Sequence, residues 1–241
     1  RKLLENFNQE DEIYYWYKLK KIAQIIYIEE NSEKSLFFIE KKFKEYSEPS
    51  TKLIYDMGNI YKRSKKFKKS IKYYSLLLEK LNENSDEYAD VLYKRGSSYE
   101  RLGDDKNSDI DLLKSLSIRP DEPYVLNYLG YGWLERGYRI KDAIGMLDKA
   151  YNQKKNDPYI IDSVGWGYYL IGDFKNAENF LRKAIELMPN DPIVNDHYGD
   201  VLWKLNMKLQ ASYYWKAALL SEEAEDQLKN DINNKLIFGL N

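Results

Sequence analysis

A glycine recurs along this chain at a nearly constant interval, each time inside a segment whose apolar residues have helical spacing. The stretches "IYDMGNIYKRSK", "LYKRGSSYERLG", "LNYLGYGWLERG", "IDSVGWGYYLIG" and "NDHYGDVLWKLN" align on Gly58, Gly96, Gly130, Gly165 and Gly199. The intervals between these glycines are 38, 34, 35 and 34 residues. A period of this length is typical of helical repeats, in which each unit has too small a core of its own and buries its faces on its neighbours.

The residues between two successive glycines predict a pair of helices. Asp157-Pro158 and Asp191-Pro192 each place a capping carboxylate before a proline, which suits the first position of a helix. Apolar residues then follow at helical spacing on two successive helices. In the best-preserved repeat these residues are Ile161, Val164 and Tyr168, followed by Ala177, Phe180, Leu181 and Ala184.

This pattern resembles the tetratricopeptide repeat, whose consensus is W-x2-L-G-x2-Y, then A-x3-F, then A and P. The repeat from Pro158 to Asp191 fills most of it, with Gly172-Asp173 at the turn and Pro189 near the end. No repeat has tryptophan at the first signature position, and the repeat that begins at Pro123 has one extra residue in its turn, "RGYRIKDA". Serine replaces the small alanine at Ser70, Ser108 and Ser115.

The resemblance implies an all-α fold, a right-handed α-solenoid of about six helix-turn-helix repeats in a single array over residues 1–241. The expected repeats cover about 16–50, 51–88, 89–122, 123–157, 158–191 and 192–225, followed by a capping helix at about 222–239. The first repeat is degenerate, with Ala23 in place of the glycine and Ser35 at the small position. We interpret roughly the first 12 residues as the remains of an earlier second helix.

In this family the first helices of the repeats line a concave groove, and the resemblance implies which of their positions face it. The expected ligand groove contains Tyr93, Tyr124, Asn127, Tyr131, Tyr159, Asp162, Trp166, Tyr169, Asp196, Asp200 and Trp203. Tyrosine and tryptophan provide large, stiff contact area with a polar group, and they are enriched at binding hot spots. The alternative is that these aromatic side chains pack on one another and fill a tight superhelix.

The sequence "GWG" at residues 165–167 places two glycines inside a predicted helix, at a cost of roughly 1 kcal/mol each relative to alanine. Gly165 is the signature glycine, where we expect the first helix to approach the second too closely for a side chain. Gly167, like Gly132 one repeat earlier, is expected to lie close to the neighbouring first helix. Trp166 is then expected to lie on neither packed side and to point into the groove.

These features predict a protein–protein interaction scaffold or adaptor that binds a peptide or protein segment in its groove. The alternative is a self-associating, homo-oligomeric or structural module that docks a domain missing from this fragment. The Lys/Asn/Lys/Arg clamp that related proteins use for the C-terminal carboxylate of chaperones does not occur here, because Gln24 follows Lys20 where asparagine is needed.

A basic run, "KRSKKFKK", begins at Lys62. The expected basic patch consists of Lys62, Arg63, Lys65, Lys66, Lys68 and Lys69. We interpret it as a solvated face; nucleic acid, an anionic membrane surface and an acidic protein partner are the alternatives. The formal net charge of the chain is only −1, which argues against nucleic acid as a partner.

Composition excludes most catalytic chemistry. The chain has no cysteine, one histidine and no Gly-rich phosphate-binding loop, so it is not expected to be an enzyme or to need a cofactor. Asp162, Asp196, His197 and Asp200 bring oxygen and nitrogen donors together; we interpret them as a hydrogen-bonded network and expect no metal. No apolar run approaches the ~18–20 residues of a membrane span, so membrane insertion is not expected.

The C-terminal repeats also resemble those at the C-terminal end of larger alphaproteobacterial proteins of this family, many of which carry an export signal. Because the sequence begins with Arg1 rather than methionine, we interpret it as a fragment or a processed form. Bacterial periplasm or envelope and cytoplasm therefore both stay open as locations.

Overall fold

The computed structural model describes residues 12–240, and the helix expected from the first residues lies outside this range. All regular structure within it is α-helical, so the predicted all-α class is confirmed. The chain divides after Pro120 into two compact units. The first contains α1 (Glu12–Glu29), α2 (Ser32–Phe43), α3 (Thr51–Arg63), α4 (Phe67–Leu78), α5 (Asp86–Glu100) and α6 (Asp105–Ile118). The second contains α7 (Pro123–Glu135), α8 (Ile140–Gln153), α9 (Pro158–Leu170), α10 (Phe174–Leu187), α11 (Pro192–Lys204), α12 (Lys208–Leu220) and α13 (Asp226–Phe238).

The helices come in pairs, and we call the odd-numbered members α1 to α11 the first helices and their even-numbered partners the second helices. Each first helix packs most extensively against the second helix that follows it. Within the second unit, successive first helices also touch, α7 against α9 and α9 against α11. Because side chains at matching positions of these first helices become neighbours, a residue type repeated every 34 or 35 residues forms a row.

Side-chain capping sets the starts of α9 and α11. The carboxylate of Asp157 accepts hydrogen bonds from the backbone N–H groups of Tyr159 and Ile160, at 3.1 and 3.3 Å. Asp191 caps α11 in the same way, and a proline follows each cap. These bonds satisfy backbone donors that have no partner within the helix. The capping role predicted for both Asp-Pro pairs is confirmed.

The five pairs that have a signature glycine turn through a residue in the left-handed region, seven positions after that glycine. Gly103, Gly137 and Gly172 occupy this position with φ values of +74°, +61° and +83°. Lys65 and Asn206 adopt the same conformation with φ values of +54° and +65°. A side chain makes this conformation costly, so the turn geometry is imposed at these two positions by the packing of the helices on either side.

The signature glycines lie where a first helix meets its second helix. A Cβ atom on Gly165 would lie 2.6 Å from Cγ of Leu181, and one on Gly199 would lie 2.5 Å from Cδ1 of Trp215. Both distances are shorter than carbon atoms tolerate. The predicted close approach of the two helices at Gly165 is confirmed.

Two of the serines at the small positions of the second helices donate hydrogen bonds to the backbone of their first helix. Ser35 Oγ donates to the carbonyl of Ala23 at 2.6 Å, and Ser115 Oγ donates to that of Ala89 at 2.8 Å. A buried hydroxyl without a partner would be destabilising, but here it adds a bond across the helix pair. The departures from alanine therefore preserve the packing.

Gly167 is the site of a second close contact. A Cβ atom there would lie 3.0 Å from Cδ1 of Leu134 in α7 and 3.1 Å from Cδ1 of Leu147 in α8. The predicted contact with the neighbouring first helix is confirmed, and a second helix shares it. The same prediction for Gly132 is wrong, since its Cβ position has only Arg136 Nη2 nearby, at 4.0 Å. Gly132 lies in the first helix of its unit, which has no earlier helix of that unit to pack against.

Replacing Gly167 with leucine should lower the free energy of unfolding by roughly 1–3 kcal/mol, because the added side chain overpacks the contact with Leu134 and Leu147. Gly145 provides the control: it lies in α8 with nothing within 4 Å of its Cβ position, so Gly145→Leu should stabilise by about 0.5–1 kcal/mol. Urea denaturation measures both values. A Gly167→Leu protein as stable as the wild type would show that the contact is not tight.

Candidate functional site

The expected groove residues lie on first helices of both units. Tyr93 is on α5 in the first unit. The other ten are in the second unit, with Tyr124, Asn127 and Tyr131 on α7, Tyr159, Asp162, Trp166 and Tyr169 on α9, and Asp196, Asp200 and Trp203 on α11. Side-chain contacts described below link α7 to α9 and α9 to α11, so the second unit brings these residues together as a connected set.

An exposed apolar row runs along the first turns of these three helices. Tyr124, Tyr159 and Ile193 recur at intervals of 35 and 34 residues, and 43%, 65% and 45% of their surfaces are exposed. The hydroxyl of Tyr124 donates a hydrogen bond to Asp157 at 3.0 Å. We call these three residues the apolar row. It offers aromatic and aliphatic surface to water at three evenly spaced points.

Trp166 is part of an aromatic stack instead of standing clear of the packing. Its ring centroid lies 4.5 Å from that of Tyr169 and 4.0 Å from that of His197, with interplanar angles of 11° and 13°. Its indole N–H donates to the carboxylate of Glu135. The expectation that Trp166 lies on neither packed side is therefore wrong. Groove positions on adjacent first helices are close enough for their rings to stack on each other, while Trp166 stays partly exposed.

His197 joins this stack to a buried ion pair. Its Nδ1 lies 3.0 and 3.1 Å from the two carboxylate oxygens of Asp162, and both residues are buried. Burial lowers the pKa of His197, but the carboxylates of Asp162, Asp196 and Asp200 outweigh burial and raise it above 6.5. The expected hydrogen-bonded network thus includes a His–Asp pair that spans α9 and α11.

The other two carboxylates are held by a lysine from α13. Lys235 Nζ lies between 2.8 and 2.9 Å from all four carboxylate oxygens of Asp196 and Asp200. Asp200 also accepts a hydrogen bond from the indole N–H of Trp215 at 2.9 Å. Burial and the neighbouring Asp196 raise the pKa of Asp200 to about 6, although Lys235 and Trp215 act in the opposite direction. Sequence reasoning missed Lys235, yet it follows Asp200 by 35 residues, the repeat period itself.

The C-terminal end of the described chain also covers Trp203. The indole N–H of Trp203 donates to the carbonyl of Leu240 at 3.2 Å, and its ring packs on Trp215 with centroids 5.3 Å apart. A Cβ atom on Gly239 would lie 2.2 Å from the Trp203 ring, so only glycine fits there. Asp196, Asp200 and Trp203 are consequently occupied by contacts within the chain.

The remaining expected residues have separate surroundings. Asn127 and Tyr131 on α7 are partly buried, and the Asn127 side-chain oxygen has no hydrogen-bond partner. In the first unit, the Tyr93 ring centroid lies 5.9 Å from Lys62 Nζ. The Lys62 ammonium donates to the hydroxyl of Ser97, on the same first helix as Tyr93.

The expected basic patch is divided by the turn between α3 and α4. Lys62 points toward α5, whereas Lys69 Nζ pairs with Glu40 of α2 at 2.7 Å. Arg63, Lys65, Lys66 and Lys68 are exposed around the turn. This distribution favours the interpretation of a solvated face for the turn and gives Lys62 a different environment.

Within residues 12–240, no group of three acidic, histidine or cysteine side chains has the arrangement to hold a metal ion. No helix in the same range has the length and apolar character needed to cross a membrane.

The family model of the tetratricopeptide repeat matches residues 51–79, 89–122 and 165–191. These three segments of the chain are tetratricopeptide repeats. Gly130 and Gly199, which lie outside the matched segments, have the same helix contacts: their Cβ positions lie 2.9 Å from the Ala143 carbonyl oxygen and 2.5 Å from Trp215. Tetratricopeptide repeats generally serve in protein–protein interaction.

Known proteins with such repeats include relatives in sequence and in structure. The chain is 34% identical over 110 residues to the TPR repeat-containing protein PA4667 of Pseudomonas aeruginosa, a match that covers 46% of this chain and only 18% of that protein. A tetratricopeptide repeat protein from Parabacteroides merdae superposes with a TM-score of 0.67 at 16% identity, covering 92% of this chain and 85% of that one. The structure of pilF of Pseudomonas aeruginosa superposes with a TM-score of 0.61 at 17% identity, covering 78% of this chain and 91% of that one. At such identities the likeness shows the fold alone, which is a solenoid-like helical-repeat fold.

The single histidine makes the pH dependence of the His–Asp pair measurable. The folded state binds the His197 proton more tightly than the unfolded chain, so this stabilisation is complete below about pH 6.5 and is lost as the pH rises through the folded pKa. The raised pKa of Asp200 has the same sign in a lower window, about pH 4 to 6. We expect the free energy of unfolding to decrease with pH above 6.5 in the wild type but not in His197→Gln. A folded pKa at or below 6.5, measured by NMR of the ring, would contradict this.

Removing the Lys235 ammonium should leave two buried carboxylates unpaired. We expect Lys235→Met to lower the free energy of unfolding by about 3 kcal/mol and to raise the pKa of Asp200 further. Lys229→Met on the same helix is the control, since Lys229 makes no ion pair in the described structure. Urea denaturation at pH 7 measures both. Equal stability of the two variants would mean that the Lys235 contacts contribute little.

Proposed function

We propose that the second unit binds an extended segment of a partner protein along its first helices. The observation that carries this proposal is the apolar row of Tyr124, Tyr159 and Ile193, which is exposed on three consecutive repeats. These side chains recur with the period of the repeat, although they are exposed and do not contribute to the core. In this role the protein is a scaffold and not an enzyme.

The surroundings of the apolar row favour binding without much rearrangement. The Trp166–Glu135 hydrogen bond joins α7 to α9, and the contacts of His197 with Trp166 and Asp162 join α9 to α11. Lys235 then holds α11 to α13. A surface held rigid before binding loses less conformational entropy when a ligand arrives. Tyrosine side chains are especially suited to this, because they have only two rotatable bonds for a large contact area.

The intramolecular contacts also indicate how far the ligand surface extends. Asp196, Asp200 and Trp203 are engaged by α13 and the residues after it, so the proposed surface excludes them. Tyr124, Tyr159, Ile193 and the exposed part of Trp166 remain. A ligand in this position meets an aromatic surface with carboxylates on either side, at Glu135 and Asp157.

Tyr159 is the residue to test, because its side chain is largely exposed and makes no polar or ring contact in the structure. We expect Tyr159→Ala to weaken partner binding about tenfold or more, as for an interface hot spot, while circular dichroism and thermal stability stay unchanged. A partner would first be captured with the wild-type protein and identified by mass spectrometry, and its affinity then measured by titration calorimetry.

Tyr213→Ala is the matched control. Tyr213 is exposed to a similar degree, 68% against 65% for Tyr159, but it lies on the second helix α12. The proposal requires that this substitution leaves the affinity within about twofold of the wild type. Equal losses in both variants, or none in Tyr159→Ala, would place the binding surface elsewhere.

A further inference from the structure

Lys62 of the first unit is a partly buried cation whose contacts include no carboxylate. Its ammonium donates to the Ser97 hydroxyl, and it lies 5.9 Å from the centroid of the Tyr93 ring. Two other lysines of this unit share an acid. Asp56 receives both Lys20 and Lys52, at 2.6 and 3.3 Å. Among the described residues, no acidic group comes within ion-pair distance of Lys62.

A second lysine, Lys94, lies beside Tyr93 on α5, the helix that Lys62 contacts, and is also without a carboxylate partner in the described structure. Lys94 on α5 lies with its ammonium 5.7 Å from the centroid of the Tyr55 ring. Burial, and next the positive charge of Lys94, lower the pKa of Lys62 to about 8. Folding thus brings two like charges together and removes water from one of them, which is unfavourable unless an anion compensates.

The charged groups around Lys62 define which anion would fit. Arg101 adds a further positive charge, whereas Glu100 and Asp90 provide negative ones that raise the pKa of Lys62. Asp90 is itself engaged, because it accepts a hydrogen bond from the Tyr55 hydroxyl at 2.7 Å. The local excess of positive charge is therefore small. It suits a group with one negative charge, and the nearby acids would repel a phosphate chain.

We infer that Lys62 and Lys94 form a binding point for a single carboxylate of an acidic segment in a partner protein. The Tyr55 and Tyr93 rings lie beside the two ammonium groups and add aromatic surface. This inference rests on the proposed function, since it assigns a partner chemistry to the first helices. It concerns the first unit, whereas the apolar row belongs to the second. Experiments on the two surfaces can therefore fail separately.

The ionisation of Lys62 reports directly on an anion at this point. The protein would be labelled with ¹³C at the lysine Cε positions, and the pKa of Lys62 followed by NMR, with Lys62→Met to assign the signal. The probe is an end-capped decapeptide that alternates glutamate with glycine and contains one phenylalanine. Binding of its carboxylate should raise the Lys62 pKa by about one unit, and the same peptide with glutamine in place of glutamate should leave it unchanged.

Affinity provides the second measurement. Lys62→Met keeps most of the apolar side chain and removes the charge; we expect it to weaken binding of the glutamate peptide about tenfold or more. Lys68→Met, at an exposed position of the same basic run, should stay within twofold of the wild type. Lys62→Met should also be at least as thermally stable as the wild type, because it removes a desolvated charge. If Lys62 had a purely structural role, Lys62→Met would instead be less thermally stable than the wild type.

Three results would overturn the inference. The first is a Lys62 pKa that does not respond to the glutamate peptide. The second is equal peptide affinity in Lys62→Met and wild type. The third is a pKa increase with a single-stranded oligonucleotide but not with the glutamate peptide, which would assign the point to nucleic acid. If Tyr159→Ala still abolishes partner binding under any of these results, the proposed function stands and only the carboxylate point falls.

Discussion

The contact between the two helices of a pair, made at a residue without a side chain, is the constraint on which the repeats depend. At Gly165 and Gly199 the backbone of the first helix lies against Leu181 and Trp215 so closely that a methyl group has no room. This approach buries the small residues of the second helix, such as Ala177 and Ala211. It also sets the tilt that brings successive first helices into contact with each other. At Ser35 and Ser115, where serine replaces alanine, a hydrogen bond joins the two helices of the pair.

Because first helices touch in the second unit, their exposed positions do not behave as independent surface residues. Rings at Trp166 and His197 stack, and an acid on one repeat meets a base on the next. The carboxylates of Asp162, Asp196 and Asp200, which the sequence predicts to face a ligand, are instead paired with basic groups of the same chain. What remains exposed is the apolar row on the first turns of the helices. In the described part of the first unit, the positive ammonium of Lys62 has no direct counter-charge.

Much of the fold could be predicted from local signals. The glycine period, the Asp-Pro caps and the helical spacing of apolar residues are short-range features, so they predicted the all-α class and the close packing at Gly165 and Gly167. The packing at Gly132 could not be predicted this way. Gly132 occupies the same repeat position as Gly167, but its helix has no earlier helix of the same unit beside it. A pattern records what a position needs in the average repeat, whereas the contact depends on which helix is the neighbour.

The candidate site was harder to predict, for the same physical reason. Which residues occupy the first helices follows from the repeat, but whether a groove aromatic faces solvent depends on side chains one repeat away. Trp166 and His197 are 31 positions apart in sequence and in contact in space. Lys235 could have been found by extending the period beyond Asp200, although its pairing with two carboxylates at once could not. The ligand role of the groove residues stays a prediction.

The reach of the polar contacts in the second unit has a consequence for how the repeats come apart. Asp162 with His197 and Asp200 with Lys235 each join residues 35 positions apart, so both bonds connect a repeat only to its immediate successor. A disturbance at one end of the unit therefore acts first on the junction between the last two elements, because each repeat contacts only its neighbours. Loss of the α13 junction exposes Asp196 and Asp200 while the His197 junction is still closed. The two junctions can therefore open separately.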